Sequence, residues 1–388
     1  MGRVSGELHA VSLLVMNRVM KCIIILPMGQ HLMAKVLCNV VLCIIVGLSS
    51  YFRFSFDYDF TYDFINDHFS RVIDLTNFVA LIMSHVVIVN QLVWRNCRIE
   101  IDSQLEGIHR VMSAQLGRRV NLDRVRGYCN AVYGSLFIRC VVFCLANVYN
   151  NRALTYYALY SEIVLFVRFS EFTLYCAVIL ALYQELILAS INVLAELERS
   201  RFELWSVRRL SLEKLVKLQR IHGLIWRANR CLERNFQLCL IIMLMKFFVD
   251  TSALPYWIYL SKTLHSDISI QYYCGVDECV KILEVVVPCW ICTRCDVMQR
   301  RFRSMFYTLT KDRRNSQLNA ALNRMCMQLG QERCQFSAGG LVEISTEMLG
   351  KFLFGMISYI VICIQFSLNL TASNSSKLAR IPTTNAPL

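Results

Sequence analysis

The chain has 388 residues, of which 56% are apolar and only 18% charged, whereas a soluble domain carries about a quarter charged residues. Its apolar residues fall in long runs near the roughly 20 residues needed to cross hydrocarbon, which excludes a soluble globular protein and predicts a multi-pass membrane protein. The net charge of +13 does not indicate nucleic acid, because the basic residues sit between the apolar runs, where membrane topology places them.

In chain order, residues 1–31 come first. The run 10–26 is apolar but carries Arg18 and Lys21, which predicts a helix lying at the cytosolic interface rather than a span. With Asn17, these charges also break the order of a cleavable signal peptide. Seven spans are expected at 32–52, 70–94, 128–149, 157–190, 236–261, 273–295 and 341–368. The loop after the first is acidic and aromatic, with Asp57, Asp59, Asp63 and Asp67 among Phe and Tyr. The third span holds Arg139. The fourth holds Arg168 and Glu171 on one face, with Glu171 placed to pair with Arg139. Asp250 lies in the fifth span, and Lys281 and Glu284 lie in the sixth. Ionisable groups at such depth are costly and mark either internal ion pairs or a polar pocket.

The segments between spans are also patterned. Within 211–225, Leu212, Leu215, Val216, Leu218, Ile221, Leu224 and Ile225 recur at helical spacing. Near 315–333, Asn315 or Ser316 can cap a helix whose apolar stripe is Leu318, Leu322, Met325 and Leu329. These read as helices of a cytosolic domain packed between subunits, with 296–340 as its anchor; surface amphipathic helices are the alternative. Cys289, Cys292 and Cys295 share one helix face at the end of the sixth span. A metal would need a fourth ligand there, so no metal is expected, and a passive helix surface is the default, with lipidation the alternative. The 18 cysteines lie in apolar runs or basic stretches, and no disulfide framework is expected. The tail 369–388 carries two glycosylation sequons, at Asn369 and Asn374, of which Asn369 sits close to the membrane.

Orientation follows from Lys and Arg. Segments 1–31, 95–127, 191–235 and 296–340 hold 28 of them, and the alternate segments 53–69, 150–156, 262–272 and 369–388 hold five. The positive-inside bias puts the N-terminus in the cytosol and, with seven spans, the C-terminus outside. A G-protein-coupled receptor would be the other way up, and its signature tripeptide and Asn-Pro motif are missing. No Walker loop, His-Glu-x-x-His or Gly-x-Ser-x-Gly occurs, so neither an enzyme nor a cofactor is expected.

The last span carries the specific signal. Ser358-Tyr359-Ile360-Val361-Ile362-Cys363-Ile364-Gln365-Phe366 resembles the Thr-Tyr, five apolar residues, Gln-Phe motif that ends the seventh helix of insect gustatory receptors. Ser358 replaces the usual Thr. The lead-in, Ala338-Gly339-Gly340-Leu341-Val342-Glu343-Ile344, also resembles that family. The resemblance implies an all-helical, seven-span subunit of a ligand-gated, non-selective cation channel in the plasma membrane of sensory neurons. It implies a tetramer, of like or related subunits, with the seventh helix lining a central pore. It implies a small-molecule tastant bound in the outer half of each bundle, bitter or aversive by the family's base rate. Membrane lipid is the surrounding partner.

The physical reading of the last span fits such a role. Ser358, Ile362, Gln365 and Asn369 follow i, i+4, i+7, i+11 and share a face, flecking an apolar helix with polar groups. A ring of four Gln365 side chains would make an uncharged, weakly selective constriction; a hydrogen bond from Gln365 to a neighbouring helix is the alternative. Tyr359, one position off the stripe, is expected to pack on neighbouring helices, and Phe366 to sit at or behind the gate. For the ligand pocket the candidates are Arg139, Tyr157, Arg168, Glu171, Asp250, Trp257 and Tyr259, the aromatics also suiting an interfacial belt. A transporter and an auxiliary subunit without its own ligand are the rival readings. The former predicts internal repeats and Gly/Pro-broken helices, and neither is visible in the sequence.

Overall fold

The computed structural model describes residues 32–60, 68–94, 98–117, most of 120–141, 156–199, 205–263, 268–308 and 316–378. These form helices α1 (Leu32–Phe60), α2 (His68–Trp94), α3 (Arg98–Leu116), α4 (Tyr156–Arg199), α5 (Trp205–Thr263), α6 (Ile268–Tyr307), α7 (Ser316–Gln331) and α8 (Thr346–Leu378). Helical residues also recur between 123 and 141. Among the described residues one two-stranded hairpin, β1 (Ser337–Ala338) with β2 (Val342–Glu343), accompanies the helices.

Five of the described helices are long and apolar enough to cross a membrane by length and composition. They are α1, α2, α4, α5 and α8. Helix α6 packs beside them against α4 and α5, but Asp277, Glu278, Lys281 and Glu284 dilute its apolar run. Of the expected third span, 128–149, only part is described, and Arg139 lies outside the described residues.

Burial ranks these helices. The apolar window of α4 is 94% buried, against 17% for α1 and 11% for α8. An apolar helix buried all round is the centre of a bundle, and α4 packs on α2, α5 and α6. On α1, Leu37, Val40, Ile44 and Leu48 are exposed; contiguous apolar surface of that kind is stable only against lipid or another subunit.

Three helices outrun the bilayer. At 1.5 Å per residue, the 44, 59 and 40 residues of α4, α5 and α6 span about 66, 88 and 60 Å, against about 30 Å of hydrocarbon. The surplus gathers into a helical domain. There Leu215, Leu218, Ile221 and Ile225 of α5 are buried in the same core as Phe302 and Phe306 of α6 and the stripe of α7. The cytosolic helices anticipated from the sequence are thus continuations of the spanning helices, with α7 added.

The hairpin connects that domain to α8. Gly339 and Gly340 take φ of 61° and 72°, and the Leu341 amide donates to the Ala338 carbonyl at 3.1 Å. Two successive residues at positive φ make the turn, a conformation that glycine adopts without the steric cost of a Cβ. A Cβ on Gly339 would also lie 2.4 Å from Ile241 Cδ1. Helix α8 therefore begins at Thr346, five residues after the sequence-based start at 341, and its last turns run to Leu378, through part of the expected tail. Ser345 caps it: Ser345 Oγ accepts from the Met348 amide at 3.2 Å.

Candidate pore helix and ligand cavity

Helix α8 packs on α5 and α6 along one side only. That side repeats at i, i+4, i+7, i+11: Phe352, Met356, Tyr359 and Cys363. The Phe352 ring stacks on Phe247 and meets Phe248 edge-on, with centroids 5.5 and 5.2 Å apart. Thr251 Oγ1 donates to Met356 Sδ at 3.1 Å. Tyr359 leans on Phe248, centroids 6.1 Å apart. Cys363 is buried with Ile73, Ala253 and Tyr256. The opposite side is exposed in the single chain and carries Ser358, Ile362, Gln365 and Asn369, together with Phe354 and Val361. Phe366, between the two sides, is exposed as well. Ser358 Oγ is turned back on its own helix, donating to the Phe354 carbonyl at 2.9 Å. The start of the helix is pinned: the Thr346 amide donates to Thr293 Oγ1 of α6 at 2.9 Å, and Ser337 of the hairpin bonds Glu233 of α5.

Between α4, α5 and α6 lies a cavity of about 50 Å³. Its charged lining is Glu162, Lys246, Asp250, Lys281 and Glu284, set against the phenyl rings of Phe166, Phe169 and Phe247. Lys246 pairs with Asp250 and reaches Glu162 Oε1 and Asn77 Oδ1, each at 3.3 Å. Lys281 Nζ lies 3.4 Å from the other oxygen of Asp250. One buried carboxylate is thus held by two ammonium groups from different helices. Among the sequence candidates, Asp250 belongs to this cavity. Lys246 and Glu162 were missed, although Lys246 stands four residues before Asp250 in an apolar run, the spacing of a helical ion pair. Tyr157, Trp257 and Tyr259 fall on α4 and α5.

Arg168 and Glu171 lie elsewhere, in a buried network one to two turns further along α4. Arg168 Nη1 donates to Glu171 Oε2 at 2.8 Å, and Arg98 Nη2 lies 2.8 Å from Glu171 Oε1. The Arg168 guanidinium carbon stands 3.8 Å from the centroid of the Phe236 ring. Glu171 is therefore paired by Arg98, from the start of α3, and by Arg168. Beside it, the Gln91 carboxamide clasps α5: Nε2 donates to the Asn235 carbonyl at 2.6 Å, and Oε1 accepts from the Cys239 amide at 3.2 Å. Arg168 Nη2 donates to the same carbonyl at 3.2 Å. Tyr175 Oη donates to Asp102 Oδ1 of α3 at 2.8 Å; burial pushes the Asp102 carboxyl above its ordinary value, and this bond opposes the shift.

The anchor stripe Leu318, Leu322, Met325 and Leu329 is buried within the chain itself, in the core shared with α5 and α6. A partly buried polar lattice holds the same region. His222 Nδ1 meets Glu332 Oε2 at 3.1 Å, Gln219 Nε2 donates to Gln328 Oε1 at 2.7 Å, and Gln299 Oε1 accepts from the Cys334 amide at 2.6 Å. Cys289, Cys292 and Cys295, anticipated as a passive surface, are instead fully buried against α4, with Cys292 Sγ 3.9 Å from Cys176 Sγ. Asn369 is exposed on α8, and Asn374 falls in its last turns.

Comparison with known proteins agrees with this architecture. A family profile of the 7tm chemosensory receptors matches residues 17–370. A Drosophila melanogaster protein bearing the name gustatory receptor 98a is 60% identical over the whole of both chains. A second, named gustatory receptor 98b, is 24% identical over about half of each. Among solved structures, the insect olfactory receptor OR5 from Machilis hrabei in complex with eugenol superposes with a TM-score of 0.63 at 10% identity, covering 92% of this chain and 99% of that one. A second structure of the same receptor gives 0.54 at 10% identity, covering 91% of this chain and 99% of that one. With a profile match over nearly its full length and a full-length relative at 60% identity, this predominantly helical, multi-pass membrane protein belongs to the 7tm chemosensory receptor family.

Proposed function

We propose that the chain is one subunit of a tetrameric, ligand-gated cation channel that opens on binding a small-molecule tastant. The supporting observation is the two-sidedness of α8. One side is fixed to α5 and α6 by Phe352, Met356, Tyr359 and Cys363, and the other offers Ser358, Gln365 and Asn369 with no partner helix of its own chain described on that side. Fourfold assembly about that face gives a weakly polar pore of uncharged dipoles. With the N-terminus in the cytosol, as the 28-to-5 basic asymmetry indicates, Gln365 stands near the outer end. The domain built from α7 and the ends of α4, α5 and α6 is then cytosolic and holds the subunits together.

The cavity at Lys246, Asp250 and Lys281 lies in the outer half of the bundle in this orientation and is the tastant site. A ligand there touches α5, whose Phe247, Phe248 and Thr251 bear directly on α8. It favours the open pore only by its difference in affinity between the two states. The olfactory receptor of like fold was solved with eugenol, a small aromatic molecule; the phenyl-lined wall of this cavity suits a ligand of similar character, but at about 50 Å³ it admits one only when α4, α5 and α6 move apart. Aversive tastants are the class favoured by the family as a whole.

The test is whole-cell current from the chain expressed alone and with related subunits, across a tastant panel. Ligand-evoked cation current from the chain alone supports the proposal. Current that needs a second subunit, and is insensitive to changes at Asp250, assigns this chain an auxiliary role.

A further inference from the structure

The exposed face of α6 changes character along its length. Leu283, Val287 and Trp290 are exposed apolar side chains, and Arg294, Val297, Arg300 and Arg301 succeed them at exposed positions. Such a change, with a tryptophan at the turnover, marks the level of the lipid headgroups. At this level a cavity of about 380 Å³ opens between α6 and the middle of α4. It shares no lining residue with the proposed tastant cavity, and its volume falls in the roughly 300–1,000 Å³ of small-molecule sites.

Its chemistry is one-sided. Ala177, Leu180 and Ala181 of α4 and Met298 of α6 give apolar surface. Tyr128 and Trp290 form an aromatic corner, with centroids 6.4 Å apart and planes inclined at 58°. The guanidinium carbon of Arg294 lies 5.4 Å from the centroid of the indole. Arg294 is the one charged residue among the described lining, and Gln184 is its polar neighbour across the cavity. A guanidinium held over an indole keeps its planar fork of donors for an anion. Arg300, the next exposed arginine on α6, is already paired with Asp296 at 2.7 Å.

We propose that this cavity binds an anionic amphiphile drawn from the bilayer. Its phosphate or carboxylate sits on Arg294 and Gln184, and its hydrocarbon lies along Leu180, Ala181 and Met298. A bilayer lipid and a free fatty acid both have this chemistry. A basic pocket between spanning helices at headgroup level is the setting in which anionic lipids are recognised.

The full chain in nanodiscs is photolabelled with diazirine forms of phosphatidic acid, palmitic acid and phosphatidylcholine, and the labelled peptides are mapped by mass spectrometry. Either anionic probe should label the peptides containing 177–184 or 290–298 in excess over phosphatidylcholine. Arg294→Gln should lower that labelling roughly tenfold, the effect of losing one charge-assisted hydrogen bond, with Arg294→Lys in between. Labelling by phosphatidic acid identifies a bilayer lipid as the source, and labelling by palmitic acid alone identifies a fatty acid. Equal labelling by phosphatidylcholine, or labels confined to other peptides, overturns the proposal. Should Arg294→Gln not elute as the wild type does, competition on the wild type decides. Unlabelled anionic amphiphile must then suppress the label, and an undiminished label overturns the site.

Discussion

Gln365 and Glu171 are both polar residues in an apolar helix, and their surroundings give them opposite expected behaviour. Gln365 is exposed on the free side of α8. In the proposed pore, Gln365→Arg puts four positive charges within a few ångströms of each passing ion, in poorly screened space, and cation current should fall sharply at unchanged surface expression. Gln365→Ala should keep the current but alter basal opening or ion preference. Two variants that reach the surface and conduct as the wild type does would place Gln365 against a neighbouring helix instead. Glu171 is enclosed between Arg98 and Arg168. Glu171→Ala removes the carboxylate that two buried guanidiniums share, a loss of about 3–5 kcal/mol. The triple change Arg98→Met, Arg168→Met, Glu171→Met removes all three charges of this trio together and should melt closer to the wild type than the single variant does. Thermal melting followed by size-exclusion in detergent makes the comparison, and a single variant as stable as the wild type would mean that water reaches the network.

Among elements, α7 separates folding from assembly. Met325 is fully buried in its own chain, whereas Met327, two residues on, is 63% exposed. Met325→Asp buries a carboxylate without a partner, a cost of several kcal/mol, and should destabilise the monomer itself. Met327→Asp should leave the monomer intact and, where that face meets a neighbour in the proposed tetramer, lower the oligomer fraction measured by native mass spectrometry. The stripe at Leu318, Leu322, Met325 and Leu329 was legible in the sequence as a buried face, because its spacing is local. That it is buried by α5 and α6 was not, since periodicity says that a face is covered and not by what. The same limit explains Glu171. Its pairing with Arg168 is an i, i+3 contact readable from spacing, but Arg98 arrives from an element about seventy residues away. It also explains Cys289, Cys292 and Cys295, whose shared face was evident while α4 on the other side was not. The expected start of α8 at 341 is early because residues 341–345 are as apolar as the helix itself. The glycine pair, read as a hairpin turn, and Ser345, read as a helix cap, are the signals that place the start of the helix later.

At the scale of the molecule, the first test is orientation. An epitope after Leu388 should stain on unpermeabilised cells and one before Met1 should not; the reverse pattern would invert the bundle and move the proposed tastant cavity to the cytosolic side. Five of the expected spans, α1, α2, α4, α5 and α8, were legible as apolar runs and long apolar helices alike, because crossing hydrocarbon is a property of a segment. The length of α5 was not, since its first half is polar enough to pass for a separate loop helix. That length has a mechanical meaning. The Gln91 clasp at Asn235 and Cys239 holds α5 part-way along. From there Asp250 is about 20 Å distant and Trp205 about 48 Å, at 1.5 Å per residue. A rigid rod held between its ends is a lever, and these arms are unequal by more than two to one. If the rod pivots at the clasp, a displacement at the cavity reaches the far end of the helix enlarged by that ratio and reversed in direction. A displacement imposed from that end reaches the cavity reduced by as much. Extending α5 by one turn at its Trp205 end would lengthen that arm and change the ratio without touching the cavity or the pore.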